Sequence, residues 1–424
     1  MIRRRWMAVA AAVTTATLLL AACGGGADRT KAQVRLVNAS IPSNGYASLE
    51  LRVDDKTVQS AVTYGNSASY VEAEPSKSSA IFATNGATAL LNFTPSTSER
   101  KYYTVLAYGT AGALKQVVID ENQGEPDANR SLMRVMNAAP DAGPVDIYVT
   151  GANDTLQASV PVQSAAAVDA IGGFITINSG TWRLRVTGAG SKTDLRLDVP
   201  SITLGSKQIV TLVITPGSGG TLTQALLLTQ QGAIGNQAAT LARVRVASGL
   251  TGTAARLGDT DLLAAGNTPA VSSYFVLPAG NQTLVVTVNG AALPSTVKAL
   301  TAGAEYTLLL HGTTTTPLAS WIDDNNMRPT DLAQAKVRLV NGVSGAAGDV
   351  SMTVDGLPVA SGVAAGGNSA YQLQPASTTA DIVVAAPGAT LYSVIDQTLA
   401  AASNYTVFVL GPSGSTTGVL RKDR

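Results

Sequence analysis

Apolar and polar residues alternate along much of this chain, which is the period of a β-strand with one buried face. Residues 145–149 read Val-Asp-Ile-Tyr-Val, and residues 182–186 read Trp-Arg-Leu-Arg-Val. Glycine, asparagine, aspartate, proline and serine interrupt such runs roughly every ten residues, a spacing typical of antiparallel sandwiches. No long segment of the sequence follows the helical period of 3.6 residues. The pattern therefore predicts an all-β fold.

One strand-like segment with a central arginine recurs four times, and so does a closing segment that begins Tyr-Thr-Val-Leu at residues 103–106. The repeat length is about 100 residues, the size of an immunoglobulin-like sandwich. We therefore predict a tandem array of four immunoglobulin-like antiparallel β-sandwich domains. Their predicted bounds are residues 32–126, 130–231, 240–328 and 334–424. The recurrent arginines are Arg35, Arg134, Arg245 and Arg338.

Each recurrent arginine lies between apolar neighbours in an alternating strand. Its side chain is therefore expected to point away from the core of its own domain, with the aliphatic stem packed along a sheet face. The alternative interpretation is a row of arginines that binds a ligand. The structural interpretation is favoured because the pattern is that of an ordinary half-buried strand.

A second motif concerns the tyrosine that starts the closing segment. Residues 300–306 and 399–405 share the form Leu-x-x-small-x-x-Tyr, ending at Tyr306 and Tyr405. This form resembles a tyrosine corner, in which the hydroxyl bonds back to the backbone where the chain crosses between sheets. The second repeat has Val210 at this position, so its corner is expected to be held by packing alone.

The N-terminus has the three parts of a bacterial lipoprotein signal. Residues 3–5 are arginines, residues 7–20 form an apolar run too short to span a bilayer comfortably, and Leu-Ala-Ala then precedes Cys23. We predict a signal peptide at 1–22, a lipidated Cys23 that starts the mature chain, and a tether to residue 31. The alternative is an ordinary signal with a chance cysteine. The predicted location is the cell envelope, and Gly24 after the cysteine favours the outer membrane in a Gram-negative host.

Composition limits the chemistry. Lys and Arg number 29 and Asp and Glu 28, so the chain is nearly neutral and nucleic acid is not an expected partner. Cys23 is the only cysteine, so acylation leaves no thiol for disulfides or catalysis. His311 is the only histidine, and the aligned repeats place Tyr108, Thr215 and Leu410 at its position. A strand end explains that position better than a catalytic site, and we expect no enzyme activity.

Clustered acids close the first and third repeats. Asp120 and Glu121, and likewise Asp323 and Asp324, could supply oxygen ligands for Ca²⁺ at the joints between domains. The second repeat has no acid at Leu227, the aligned position. The alternative interpretation is a solvated strand end whose charges discourage edge-to-edge pairing. Calcium is the one cofactor that the sequence suggests.

Residues 137–141, Asn-Ala-Ala-Pro-Asp, followed by the strand at 145–149, resemble the opening of the bacterial domain of unknown function 4397 (DUF4397). That family's pattern continues to a Tyr-Thr-Val strand and ends in an acidic pair before a proline. Residues 119–126 and 322–329 are similar to that ending. The resemblance implies a secreted or surface-anchored repeat protein with immunoglobulin-like domains, and it implies no activity.

Together these observations predict a lipid-anchored rod or string of four sandwiches with a flexible joint near residues 230–240. The predicted function is non-catalytic: surface interaction or adhesion-type binding of an unknown protein or polysaccharide, with the membrane contacted through the lipid. One alternative is a periplasm-facing structural or glycan-associated accessory protein. A carboxylate-based glycan hydrolase is less favoured, because no acidic pair of the sequence lies in an aromatic-rich pattern.

Overall fold

A computed structural model describes residues 28–41, 45–266 and 269–424. Cys23 and the predicted signal peptide lie outside the described residues. Strands dominate the described part, where the helical element is a single 3₁₀ turn, Pro140–Ala142. None of the helical structure in that part is long and apolar enough to cross a membrane. The prediction of an all-β chain of sandwich domains is confirmed.

The first sandwich consists of two four-stranded sheets with the orders β4-β1-β7-β8 and β3-β2-β5-β6. Its strands are β1 Ala32–Asn38, β2 Ser48–Val53, β3 Lys56–Thr63, β4 Val71–Ala73, β5 Ser79–Ala83, β6 Ala89–Phe93, β7 Tyr102–Thr110 and β8 Ala113–Asp120.

The second sandwich has a five-stranded sheet, β12-β9-β15-β16-β17, and a four-stranded sheet, β11-β10-β13-β14. Its strands are β9 Arg130–Asn137, β10 Val145–Thr150, β11 Gln163–Ala166, β12 Ile175–Asn178, β13 Gly180–Gly188, β14 Leu195–Leu204, β15 Ile209–Pro216, β16 Thr223–Thr229 and β17 Ile234–Gln237.

The third sandwich is built from a sheet ordered β21-β18-β26-β27, with β22 also paired to β18, and a sheet ordered β20-β19-β23-β24, with β25 also paired to β23. Its strands are β18 Leu241–Ser248, β19 Thr253–Leu257, β20 Thr260–Leu263, β21 Ala270–Val271, β22 Phe275–Pro278, β23 Gly280–Val288, β24 Ala291–Ala292, β25 Thr296–Leu300, β26 Glu305–Gly312 and β27 Pro317–Asp324.

The fourth sandwich combines the sheets β31-β28-β34-β35 and β30-β29-β32-β33. Its strands are β28 Gln334–Ser344, β29 Val350–Val354, β30 Leu357–Val363, β31 Gln372–Pro375, β32 Ser377–Ala386, β33 Ala389–Leu399, β34 Asn404–Pro412 and β35 Thr417–Lys422.

The strand with the recurrent arginine and the closing strand lie side by side in all four sandwiches, and they run parallel. The rest of the strand pairing is antiparallel, apart from isolated bridges. The closing strands β15, β26 and β34 are buried along nearly their whole length. Continuous burial means that both faces of these sheets are covered. One face covers the core of its own sandwich, and the other must meet a second partner.

That second partner is the neighbouring sandwich. An apolar cluster that includes Val37, Leu106, Met136 and Val213 joins the first sandwich to the second. A matching cluster that includes Leu309 and Phe408 joins the third sandwich to the fourth. The sandwiches therefore pack face to face in two pairs. The predicted rod or string is wrong in this respect, because alternation along a strand cannot distinguish a solvated face from one covered by another domain.

The two pairs also contact each other. The hairpin turn at residues 217–220 reaches the third sandwich, where the backbone N–H of Gly219 donates to Gly303 (2.8 Å) and Asn326 donates to Gly219 (2.9 Å). Residues 234–237 form β17, which pairs with β16. The flexible joint expected near 230–240 is therefore in part a strand of the second sandwich.

The tyrosine corner is present as predicted. The hydroxyl of Tyr306 accepts a hydrogen bond from the backbone N–H of Thr301 (3.0 Å), and Tyr405 accepts one from Ala400 (2.9 Å). Tyr103 makes the same contact in the first sandwich. Val210, at the matching position of the second sandwich, is buried in its core.

Candidate functional site

The four recurrent arginines mark the paired faces. Strand register places each arginine opposite the threonine of the closing segment, and the guanidinium Nε donates to that hydroxyl at 2.8–3.0 Å in all four sandwiches. Arg35, Arg245 and Arg338 are only 1–3% exposed, whereas Arg134 is half-buried. The expectation that they point away from their own core is confirmed. The neighbouring sandwich, however, covers them.

The third and fourth sandwiches exchange ion pairs. Arg338 of the fourth sandwich binds Asp324 of the third, and Arg245 of the third binds Asp423 of the fourth. Each carboxylate also accepts a hydrogen bond from the threonine of its own sandwich. The arrangement has an approximate two-fold relationship, because equivalent residues of two repeats face each other.

An aromatic ring packs against each guanidinium. Its centroid lies 4.5–4.8 Å from the guanidinium carbon, a distance suited to a cation–π contact. Where the ring is a tyrosine, its hydroxyl donates to the carboxylate of the cluster; Tyr274 donates to Asp324 at 2.6 Å. In the second sandwich the ring is Phe174, and strand register places Gln230 at the position of the acid, so the sequence alignment that put Leu227 there is wrong. The second sandwich therefore lacks both the tyrosine hydroxyl and the carboxylate that accepts its hydrogen bond in the other three. The four rings are Tyr70, Phe174, Tyr274 and Tyr371.

Burial and charge oppose each other in these clusters. Burial by itself would raise the pKa of Asp324, but the charges of Arg338 and Arg245 outweigh it and hold the pKa below the ordinary value. Burial, reinforced by the Asp324 charge, raises the pKa of Tyr274 well above 10. Asp324 therefore stays ionised and Tyr274 stays protonated at neutral pH. The cluster is a fixed set of charges and hydrogen bonds.

The first pair of sandwiches has a one-sided version of this cluster. Arg35 donates to Glu121 of its own sandwich (2.8 Å), and the second oxygen of Glu121 accepts a bond from the backbone of Gln231 (2.6 Å). Arg134 donates instead to the carbonyl oxygen of Asp120 (3.1 Å). Glu121 and Asp324 hold the same position in their repeats, and both connect neighbouring sandwiches.

The four acids suggested as calcium ligands divide into two kinds. Glu121 and Asp324 are buried and bound to arginine, whereas Asp120 and Asp323 are exposed. Within the described residues, no group of three or more His, Cys, Asp or Glu side chains is arranged to hold a metal ion. The calcium hypothesis stays a prediction. Two of its four carboxylates already accept bonds from guanidinium groups.

His311 lies in β26, where it is 6% exposed, and its Nε2 shares a hydrogen bond of 2.8 Å with Ser320. Burial lowers the pKa of the imidazole below its ordinary value of 6.5. A serine hydroxyl is the partner that the nucleophile–base half of a hydrolytic triad has, but among the described residues no carboxylate bonds to the other ring nitrogen of His311.

A cleft of about 320 Å³ opens where the first, second and fourth sandwiches meet the segment that follows β27. Its charged lining residues are Lys115 and Asp169, which pair with each other, and Asp141, Arg328 and Lys336. Asp141 is buried, accepts a bond from the backbone N–H of Arg328 (2.7 Å) and lies 3.6 Å from Arg424. This volume is in the range of small-molecule sites.

Lys336 is the most constrained cation of the cleft. It is 7% exposed, and its Nζ donates to the carbonyl oxygen of Asn325 (2.8 Å) and packs over the ring of Tyr371 (4.5 Å). Burial lowers its pKa to about 8, although Asp141 acts in the opposite direction. Sequence reasoning missed both Lys336 and the cleft. The lining residues are far apart in the chain, and no motif signals that they meet.

The aromatic rings of the arginine clusters were also missed. They lie between the two repeated segments at spacings that vary from one repeat to the next, so the repeat alignment does not bring them into register. A usable signal is that each follows a small residue (serine, glycine or alanine) in an otherwise aromatic-poor chain.

Comparisons with known proteins bear on the repeat unit. A family model described as "Domain of unknown function (DUF4397)" matches residues 32–148 and 242–351, together more than half of the chain. Each match starts in the first strand of one sandwich and continues into the second strand of its paired neighbour, β10 or β29. No curated protein matches.

One solved structure that matches is "The Bacillus anthracis TIE protein", with 9% sequence identity and a TM-score of 0.15. The match covers 86% of this chain and 65% of that chain. The present chain thus spans somewhat less than two thirds of that structure, and at this TM-score the likeness carries no argument.

Proposed function

This chain belongs to the family described as Domain of unknown function (DUF4397), and from that premise we propose that it is a non-catalytic lipoprotein of the cell envelope that binds a partner through its folded body. The observation that carries this proposal is the use of the buried charged side chains. Arg245, Arg338, Asp324 and Asp423 are committed to bonds between sandwiches. Groups held in this way stabilise a scaffold, and they are not free to move protons for a substrate.

The location follows from the N-terminal signal. The predicted lipoprotein signal, which ends just before Cys23, would place a diacylated anchor at the start of the mature chain. Residues 24–31 are too few to carry the body far from the membrane surface, because an extended chain spans at most about 3.5 Å per residue. The sandwiches therefore work close to the bilayer, and the outward face of the outer membrane is the proposed side in a Gram-negative host.

The test combines lipidation with surface labelling in a bacterium that carries the gene. Cells fed a radiolabelled or alkyne-bearing fatty acid should label the wild-type protein, and a Cys23→Ser variant should remain unlabelled. Intact cells are then treated with a membrane-impermeant amine reagent, which has exposed lysines such as Lys56 and Lys77 to react with. Labelling is preferable to protease shaving, because tightly packed sandwiches resist proteolysis even when they are accessible.

Amine labelling of intact cells, with a periplasmic marker protected in the same sample, is the expected result. Labelling that appears only after the outer membrane is opened would overturn the outward orientation and favour a periplasmic binding role. Fatty-acid label on the Cys23→Ser variant would overturn the proposed anchor.

A further inference from the structure

The cleft between the first, second and fourth sandwiches has properties that the pairing of sandwiches does not require. Two of its cations, Arg328 and Lys336, have no carboxylate within ion-pair distance in the described part of the chain. The Nε of Arg328 is buried and has no hydrogen-bond partner. A buried donor without an acceptor costs free energy, so some compensating group is expected there.

The acids of the cleft do not supply that group. Asp141 is engaged by the backbone N–H of Arg328 and by the guanidinium of Arg424. Asp169 is paired with Lys115 at 2.5 Å. Both carboxylates are therefore neutralised, and the cleft keeps an unbalanced positive charge at Arg328 and Lys336.

The remaining walls of the cleft are largely apolar. Leu332 and Leu373 line it and are 56% and 43% exposed, and Met327 and Pro329 lie beside them. Large apolar side chains that stay exposed around a concave surface are typical of a ligand site. An occupant would bury these side chains and would place a negative group against the two cations.

We propose that this cleft binds a small amphipathic anion, a carboxylate attached to a compact apolar body, with Arg328 and Lys336 holding the carboxylate and Leu332 and Leu373 contacting the body. This inference rests on the proposed binding function and adds the chemical class of the ligand. Arg328 lines the cleft, and the terminal nitrogens of its guanidinium can donate to a carboxylate oxygen of the occupant. The ammonium of Lys336 already donates to the backbone and side-chain oxygens of Asn325, so it contributes charge from a position that is largely shielded from water.

Such a carboxylate has two sources in an envelope: a free organic acid, or the C-terminus of a peptide whose last residue is apolar. Both present the same group to the two cations. The cleft volume of about 320 Å³ accommodates a body of roughly ten to fifteen heavy atoms in either case.

The test uses the purified mature chain and isothermal titration calorimetry. The probes are 4-phenylbutyrate, its uncharged amide, and N-acetyl-Leu-Leu with a free or an amidated C-terminus. We expect saturable one-to-one binding of at least one of the two acids and at least tenfold weaker binding of its amide. The acid that binds more tightly identifies the source.

Variants place the site. Arg328→Gln and Lys336→Gln should each weaken binding of the acid about tenfold or more, since hydrogen bonds to charged groups are the stronger ones. Arg256→Gln is the matched control, because Arg256 is 52% exposed in its side chain and lies on the third sandwich away from the cleft. Because Lys336 is buried, circular dichroism checks that its variant is folded, and Arg328→Gln tests the site independently.

Three results would overturn the proposal: no saturable binding of either acid, equal binding of acid and amide, or equal effects of Arg328→Gln and Arg256→Gln. The outcome is separate from that of the cell labelling. A purified protein that binds the acid but is not labelled on intact cells keeps the cleft assignment and loses the surface orientation, and the reverse also holds.

Discussion

The guanidinium of Arg338 in the fourth sandwich binds the carboxylate of Asp324 in the third. The two residues are 14 positions apart in the chain, and the connection between them joins one domain to the next. Both side chains are almost fully buried. Removal of one member of a buried pair leaves an uncompensated charge, so this contact couples the folding of one sandwich to the other.

Asp324→Asn is expected to lower the free energy of unfolding of the third and fourth sandwiches by about 3–5 kcal/mol, because Arg338 and Arg245 would lose their shared anion. Asp323→Asn is a closely matched control. The side chain of Asp323 is the immediate neighbour and is exposed, so its change should stay within about 0.5 kcal/mol. Urea unfolding of the whole chain, followed by circular dichroism, measures both. Equal effects of the two variants would contradict the assigned ion pair.

The tyrosine corner can be tested without altering packing. Tyr306→Phe removes only the hydroxyl that accepts the bond from Thr301, and should cost about 1 kcal/mol of unfolding free energy. Tyr392→Phe is the control, since burial is the one cause that raises the pKa of its hydroxyl and no partner binds it among the described residues. A loss for Tyr392→Phe as large as that for Tyr306→Phe would show that the bond to Thr301 is not the stabilising feature.

Because the pKa of Lys336 is lowered in the folded chain, we expect the free energy of unfolding to rise with pH. Its pKa is about 8 in the folded chain and 10.5 when unperturbed, so between these values the unfolded chain binds the extra proton. The free energy of unfolding therefore increases as pH rises from 8 towards 10, by up to about 1.4 kcal/mol per pH unit. Below pH 8 the cost of burying the ammonium is present in full.

Unfolding of wild type and of Lys336→Met should be compared between pH 7 and pH 9.5. The charged groups that act on Lys336 are present in both proteins, so the difference between the two unfolding free energies reports the titration of Lys336 itself. These groups are Asp141, Asp423, Arg338 and Arg424. The free energy of unfolding of the wild type should increase relative to that of the variant as pH rises. A constant difference across this range would contradict the lowered pKa.

Because His311 is buried, we expect the folded chain to lose stability in acid. Burial lowers its pKa below 6.5, so the unfolded chain takes up the proton first as pH falls through 6.5. Wild type should therefore lose stability relative to His311→Gln between pH 7 and pH 5, because glutamine can still bond to Ser320 and does not titrate. Thermal unfolding at several pH values measures this, and parallel curves for the two proteins would rule it out.

The close packing around Gly219 allows a test of the contact between the two pairs of sandwiches. A Cβ on this residue would lie 2.4 Å from the Cγ of Glu305 and 2.9 Å from its backbone nitrogen, so Gly219→Ala should push the second and third sandwiches apart. Gly414→Ala is the control, since no atom lies within 4 Å of its Cβ position. Small-angle scattering should show a larger radius of gyration for Gly219→Ala alone. An unchanged radius would contradict the docking of this hairpin.

The strands, the four repeats and the tyrosine corners could be predicted from the amino-acid sequence, because each is a local pattern. Alternation with a period of two places every second residue in a core, and Leu-x-x-small-x-x-Tyr brings a hydroxyl to a backbone N–H five residues away. The sequence also showed that the four arginines leave their own cores. These inferences need only neighbours in the chain and the geometry of one sheet.

The residues that cover those arginines, in contrast, could not be predicted from the sequence. Apolar and polar residues alternate in the same way whether the outer face of a strand contacts water or another domain. The pairing of Arg338 with Asp324 therefore could not be predicted from the pattern. The cleft is a clearer case, because Lys115, Asp141 and Lys336 come from three different sandwiches. Their contact depends on how whole domains dock, and docking is set by the summed shape and charge of faces assembled from residues hundreds of positions apart.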